Sequence, residues 1–422
     1  MKDDARPGVD VDALTAEIDK ALNKADAALA RDYPGERAGR QPVHTVYVPA
    51  DRIEPDLLAS YANEAQMSIV ESGAEFLDVL GGDEDLVGRV LAKLEREAIE
   101  DLRIDFEDGY GVRSDDEEDE AVRAAAGVLA QWVREGKAPP FHGIRFKSLE
   151  QPTRGRGLRT LALFLEALTG EVGLPPGFVV TLPKVTSVDQ VAAMTLAAER
   201  LEQDLALPPG ALRFELQVEA SQAVLGSDGT VTVARMIHAA AERCVGLHFG
   251  TYDYSADLGI APSQQSMEHP AADHAKALMQ AAAAGTGVRL SDGSSNVLPV
   301  GDAEAMRAGW ANHLRLVRRS LERGFYQGWD LHPAQLPTRY AATFSFFRDG
   351  LEPAIERLRA YRKAEATQIA DEPATVRALA AFLLRGLDCG AISDAEVATA
   401  SGLNLNRLTE LAGRPTEKRK AG

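Results

Sequence analysis

Short runs in which apolar and polar residues alternate recur along the chain between longer stretches with helical spacing. The alternating runs are "HTVYVPA" from His44, "LRIDFEDG" from Leu102, "HGIRFKS" from His142 and "GFVVTLPKV" from Gly177. They continue with "LRFELQVEAS" from Leu212, "VGLHFGTYDYS" from Val245, "GVRLSDGSS" from Gly287 and "FYQGWDLHP" from Phe325. Between them lie Ala/Leu/Glu/Arg-rich segments such as "EAVRAAAGVLAQWVREG", "RTLALFLEALTG" and "VDQVAAMTLAAERLEQDL". Strands that alternate with helices predict an α/β fold, a (β/α)8 TIM barrel of roughly 300 residues. The runner-up is a doubly wound open sheet, but no G-x-G-x-x-G follows the first strand and no G-x-x-x-x-G-K-[ST] occurs. Residues 1–40 read as an N-terminal helical extension that ends in the breaker "PGERAGRQP". Residues 41–345 read as the barrel, and residues 346–422 as a helical cap or oligomerisation segment. In that last stretch "ISDAEVATASGLNLNRLTELAG" could pass for a helix-turn-helix, and "RPTEKRKAG" reads as a frayed basic tail.

Composition narrows the function classes. The chain has 422 residues and a formal net charge of −18, which lacks the basic footprint of a nucleic-acid-binding surface. Two cysteines, Cys244 and Cys389, supply neither a disulfide framework nor a zinc–thiolate site. The start, "MKDDARPGVDVDA", has no apolar core of a signal peptide, and no window approaches the length of a membrane span. A cytoplasmic protein without nucleic-acid or membrane partners is expected.

In such barrels the chemistry sits where strands end and the following loops begin. Those positions hold Asp105, Glu107 and Asp108 after the second strand, Arg145 on the third and Lys184 after the fourth. They continue with Glu219 after the fifth, Asp253 after the sixth, and Asp330 and His332 after the eighth. A mouth ringed by carboxylates is repulsive unless a cation sits there, and few protein oxygens completed by water and substrate suit Mg²⁺ better than zinc. Each residue also has a plainer reading. Glu219 would pair with Arg213 or cap a helix, and Asp253 would be an N-cap with Asp257 as a rival ligand. Arg145 would pair with Asp105 or Glu107, "DGYG" would be a turn, and "SDDEEDE" a solvated helix start. "TRGRG" would be either an anion clamp through Arg154 and Arg156 or a mobile loop. Within "LRFELQVEAS", Phe214, Leu216 and Val218 are expected to face helices. Arg213, Glu215, Gln217 and Glu219 are expected to face the barrel interior, the lower ones balanced by Arg213, Arg103 or Lys147.

Taken in order, "DFEDGYG", "GIRFKS", "TLPKV", "LQVEAS", "FGTYDYSADLG" and "GWDLHPAQLP" resemble the HpcH/HpaI aldolase family. The resemblance is to the branch similar to the citrate lyase beta subunit and malyl-CoA lyase, within the phosphoenolpyruvate/pyruvate barrel superfamily, and it covers roughly residues 43 to 345. It implies a Mg²⁺-dependent carbon–carbon lyase or aldolase, with Mn²⁺ as a substitute, that acts on a small oxyacid or its CoA thioester through a metal-stabilised enolate. It places the metal on Glu219 and Asp253. It places substrate contacts on Arg145, Gly250, Asp253 and Lys184, and catalytic roles on Arg145, Asp108 and Glu107. It also implies a homo-oligomer, a trimer or hexamer, with a C-terminal segment over a neighbour's barrel mouth. The chain departs from the family in carrying Trp329 and Asp330 before the His-Pro, in "SLEQPTRGRG" and in its helical extensions. The alternatives are an acyl-CoA thioester hydrolase on the same barrel and a non-catalytic ligand-binding barrel.

Overall fold

The computed structural model describes residues 9–367 and 373–415. The first residues of "MKDDARPGVDVDA" and most of "RPTEKRKAG" therefore lie outside the described residues. Eight strands form one parallel sheet: β1 (His44–Pro49), β2 (Asp101–Asp105), β3 (Phe141–Arg145), β4 (Phe178–Leu182), β5 (Arg213–Val218), β6 (Cys244–Phe249), β7 (Arg289–Ser291) and β8 (Gly328–Asp330). β1 pairs with both β2 and β8. The remaining gap, between β7 and β8, is bridged at Ser291 and Gln327 and by the Asp292 N–H donating to the Gln327 carbonyl at 2.9 Å. Helices follow each strand, from Leu57–Glu71 after β1 to Leu336–Asp349 after β8. The fold is a (β/α)8 TIM barrel with helical segments at both ends of the chain.

The period of two along each strand sorts residues between two environments. Val46, Val48, Leu102, Ile104, Ile144, Val180, Leu182, Phe214, Leu216, Val218, Leu247 and Phe249 point outward and join the main apolar core with the helices. Burying each such side chain contributes roughly 1.5–3 kcal/mol. The interior is polar, and in its lower half it is closely satisfied. Arg103 donates to Glu215 from Nε and Nη2 at 3.0 and 2.9 Å, to Thr181 at 3.0 Å, and to Asp101. Thr45 and His248 complete the partners of Asp101 and Glu215, at 2.9 and 3.0 Å. Arg103 thus balances the lower carboxylates as expected, whereas Arg213 and Lys147 do not. Arg213 sits at the strand start and donates to the Glu242 carbonyl at 2.6 Å. Lys147 lies beyond β3 and pairs with Glu118 at 2.8 Å, outside the barrel.

Other local expectations resolve in the same way. "SDDEEDE" does begin a helix, Asp115–Arg134, which Ser114 and Glu117 close with a capping box. "TRGRG" is neither clamp nor loop: it opens the helix Arg154–Val172, and Arg156 pairs with Asp119 at 2.6 Å. The helix Val11–Asp32 has no buried residue, and it exposes Val11, Leu14, Ile18, Leu22 and Leu29. The helices from Leu351 onward enclose their own apolar cluster, which contains Leu358, Leu383, Leu384 and Leu408. Phe382 joins it to the barrel helix through Phe346 and Phe347. This segment lies at the strand-start end of its own barrel, where Arg40 donates to the Asp388 carbonyl at 3.4 Å, and not at the mouth. Within it "ISDAEVATASGLNLNRLTELAG" forms two short helices, Asp394–Ser401 and Leu405–Ala412. Among the described residues no helix is long and apolar enough to cross a membrane.

Candidate active site at the barrel mouth

The end of β5 delivers Glu219, 3% exposed, to the C-terminal mouth of the barrel. Its Oε1 accepts the Lys184 backbone N–H at 2.8 Å. Lys184 follows Pro183 and has φ +49, a left-handed conformation that aims its N–H at Glu219 while its side chain turns toward β2. There Nζ donates to Glu107 at 2.7 Å and to Asp108 at 2.6 Å. Gly250, after β6, lies directly against Glu219: a Cβ at that position would stand 2.4 Å from both Glu219 Cβ and Oε2. The short helix Thr251–Asp257 then presents Asp253 in its first turn, exposed and near enough that its charge acts on Glu219. Gly250, not Asp253, occupies the N-cap of that helix, and Asp257 accepts the Ser221 N–H at 2.6 Å instead of facing the mouth.

Arg145 is buried at the end of β3. Its Nε and Nη2 donate in parallel to Asp105 at 2.7 and 2.6 Å, and its Nη1 lies 3.5 Å from Glu107. The guanidinium also lies 4.9 Å from the centre of the Tyr47 ring. Asp105 accepts the backbone N–H groups of Glu107 and Gly109 at 3.0 and 2.8 Å, so it shapes the "DGYG" turn rather than facing substrate. The seven candidates Glu107, Asp108, Arg145, Lys184, Glu219, Gly250 and Asp253 therefore share one end of the barrel. Asp330 does not. Its strand turns Trp329 inward and Asp330 outward, where it is held by Arg339 at 2.8 Å, His44 at 3.0 Å and His313 at 3.2 Å. His332 caps the turn after β8, its Nδ1 accepting the Ala334 N–H at 3.1 Å.

The electrostatics divide the mouth. On the β2–β4 side the two cations are committed to carboxylates. Burial raises Glu107 above the usual carboxyl range, where Arg145 opposes the rise and the Asp108 charge adds to it. Burial pushes Asp108 up, but Lys184, Glu107 and Arg145 together outweigh it and leave the carboxyl lowered. On the β5–β6 side, among the described residues, neither Glu219 nor Asp253 has an ion-pair partner. Burial pushes Glu219 up to about 7; Arg145 lowers it and Asp253 raises it further. Below the mouth the Tyr47 hydroxyl, both amide atoms of Gln217, Nδ1 of His248 and Nε1 of Trp329 are buried without a protein partner. Buried polar atoms left so cost about 1–3 kcal/mol each, which makes this a wall suited to an oxygen-rich ligand or ordered water. Tyr47 was legible as an inward residue from the alternation in "HTVYVP" but carries no motif of its own.

Whether these residues suit a divalent metal is a question of donor chemistry. Among the described residues no group of three or more His, Cys, Asp or Glu side chains is arranged to hold an ion. Two carboxylates with no ion-pair partner among the described residues, the Glu219 group raised to about 7 by burial, fit a site that Mg²⁺ completes with water and substrate oxygens.

The fold defines a class: a (β/α)8 barrel with the fold of citrate lyase. A citrate lyase from Burkholderia xenovorans LB400 is similar with a TM-score of 0.59 and 20% identity, over 86% of this chain and 96% of that one. A malate synthase from Haloferax volcanii, crystallised with glyoxylate, is similar at 0.49 and 15% identity over 89% and 99%. An HpcH/HpaI aldolase/citrate lyase family protein from Burkholderia cenocepacia J2315 follows at 0.39 and 16% identity over 78% and 98%. The chain belongs to the family described as a domain of unknown function, DUF6986, which it matches over residues 22–415. No curated protein matches it.

Proposed function

We propose that this protein is a carbon–carbon lyase of the aldolase type that cleaves or forms a small oxyacid or its CoA thioester. The observation that carries the reading is the pair Glu219 and Asp253, after β5 and β6, which lie near enough for the Asp253 charge to act on Glu219 and have no ion-pair partner among the described residues, while both nearby cations pair with other carboxylates. Glu219 and Asp253 would hold Mg²⁺, with Mn²⁺ as a substitute, and the ion would supply the positive charge that offsets an enolate. Arg145 is locked by Asp105 and keeps Nη1 as the donor not committed to it, placed to orient a substrate carboxylate or carbonyl oxygen. Glu107 is the group suited to exchange a proton with substrate, because its raised affinity lies nearer neutrality than that of Asp108, which Lys184 holds ionised. Tyr47, Gln217 and Trp329 form the wall that would meet the remaining oxygens.

The experiment is a screen of cleavage substrates with Mg²⁺, comparing malyl-type CoA thioesters with free 2-oxo and 2-hydroxy acids. Product analysis should show a 2-oxoacid or aldehyde fragment, and Glu219→Ala and Asp253→Ala should each abolish turnover. Unchanged activity in both variants would sink the reading. Release of free CoA without a carbon fragment would instead identify a thioester hydrolase, and Mg²⁺-dependent oxalate binding without turnover would identify a ligand-binding barrel. A cytoplasmic location and a homo-oligomer, trimer or hexamer, belong to the same proposal. The oligomer is supported by the exposed apolar stripe on Val11–Asp32 and is tested by light scattering on the purified chain.

A further inference from the structure

The opposite end of the barrel has the reverse electrostatic character. A cavity of about 400 Å³ opens among the strand starts and is lined by Arg37, Arg213 and Arg289. Each arginine is anchored by backbone carbonyls. Arg37 donates to Gly287 and Cys244, both at 2.9 Å, Arg213 to Glu242 at 2.6 Å, and Arg289 to Gly39 at 3.1 Å. Among the described residues none of the three forms an ion pair with a carboxylate. Of the nearby acids, Asp388 pairs with Arg414 at 2.7 Å and Glu36 with Arg385 at 3.7 Å, while Glu242 keeps its side chain exposed and acts on Arg37 only through its charge. The carboxylates that also line the cavity, Asp101 and Glu215, share Arg103 as their cationic partner, and Glu215 also lies 3.0 Å from His248 Nε2.

This is unusual within this chain. Acidic residues outnumber basic ones by 64 to 46, and the buried arginines Arg103, Arg145, Arg243 and Arg339 all face carboxylates. Arg37 and Arg289 instead feel neighbouring guanidinium groups. Arg37 is lowered from its ordinary value by burial and then by Arg213. Arg289 is lowered to about 10 by burial and then by Arg414 and Arg37. Backbone carbonyls fix the guanidinium planes but do not cancel their charge. Three guanidinium groups held around one cavity, each keeping N–H groups that no carbonyl takes, match the oxygens of a carboxylate or phosphate, and the repulsion between neighbouring guanidinium groups would be relieved on binding. One side of the cavity is apolar, formed by Phe141, Leu174 and Pro175, and the volume is that of a small-metabolite site.

We propose that this cavity binds a small organic dianion, a phosphate ester or a dicarboxylate. Arg37, Arg213 and Arg289 hold its charged oxygens, and the Phe141–Leu174–Pro175 wall holds its carbon skeleton. The proposal stands apart from the reading of the mouth, because none of the seven mouth residues lines the cavity.

The test is isothermal titration of the full chain, in EDTA and at fixed ionic strength, with inorganic phosphate and with succinate as probes and chloride as the control. One site per chain is expected for at least one probe, and the probe that binds tells phosphate from dicarboxylate chemistry. Arg213→Gln should weaken that binding at least tenfold, and Arg213→Gln with Arg289→Gln should abolish it. Arg213→Lys keeps the charge and loses the fork, so it should retain binding weakened severalfold. Melting curves without probe should leave the variants folded, since each loses an uncompensated charge. Binding of equal strength in wild type and the double variant, or no binding of either probe at millimolar concentration, overturns the proposal.

Discussion

Replacing Glu219 with glutamine should stabilise the protein at alkaline pH while removing its activity. The side chain is buried, and burial with the Asp253 charge raises its carboxyl from 4.5 to about 7. At 1.36 kcal/mol per tenfold change in proton affinity, this corresponds to about 3 kcal/mol of preference for the neutral form in the folded state. The folded protein binds this proton more tightly than the unfolded chain, so the sign is fixed. The site costs nothing below about pH 4.5. Stability then falls as pH rises toward 7, and the loss is nearly complete, about 3 kcal/mol, at pH 8. Glutamine has no charge to lose. Its Oε1 can still accept the Lys184 N–H, and its amide can donate toward Asp253. Thermal unfolding in EDTA should therefore give Glu219→Gln a higher midpoint than wild type at pH 8, with a gap below about 1 kcal/mol at pH 5. Saturating Mg²⁺ should raise the wild-type midpoint alone and release about one proton near pH 6. A variant less stable than wild type at pH 8, or offset equally at both pH values, would refute the assignment of strain to this carboxylate.

Two further substitutions probe the surroundings. Gly250→Ala places a Cβ 2.4 Å from Glu219, so one of them must move. A displacement of about 1 Å can cost about a hundredfold in rate, and that loss of turnover is expected together with about 1–3 kcal/mol of stability. Wild-type kinetics in this variant would show that the contact does not position Glu219. Arg145→Lys retains a charge but cannot make the two parallel bonds to Asp105. Chemical denaturation should register a loss of about 3 kcal/mol, and a loss under about 0.5 kcal/mol would show that the pair does not organise the mouth.

The barrel was legible because period-two alternation persists in six strands of five or six residues, long enough to say which face is which. The strands β7 and β8 were legible too, but with three residues each their facing was not. In a strand that short nothing local separates the inward from the outward parity. Asp330 was therefore read as a mouth residue from its place at a strand end, although it faces helices. What keeps it outside is a set of partners remote in sequence, His44, His313 and Arg339, that satisfy a charge in the core. The pairing of Glu215 with Arg103 was accessible for the opposite reason: both lie on long strands whose inward rows are unambiguous. Arg213 occupies the same inward row but one pleat too low, so its partner is a backbone carbonyl at the strand start.

The mouth shows where sequence reasoning reaches its limit even when the residues it names share one end of the barrel. Position along a strand and a strand-end carboxylate are local properties, so Glu219 and Asp253 were identifiable as candidates. Which cation answers which carboxylate is not local. Lys184 could have neutralised Glu219, but its left-handed backbone offers Glu219 only the N–H and sends the ammonium to Glu107 and Asp108. Arg145 could have served either acid cluster, but the turn built by Asp105 holds it on the β2 side. Both choices move positive charge away from β5 and β6. They leave a buried carboxylate near an exposed one with neither ion-paired, a local cost of about 3 kcal/mol at Glu219 that comes first from burial and then from the Asp253 charge. Charge arranged at such a cost, beside a wall of unpartnered polar atoms, is the physical support for the binding role proposed for the mouth.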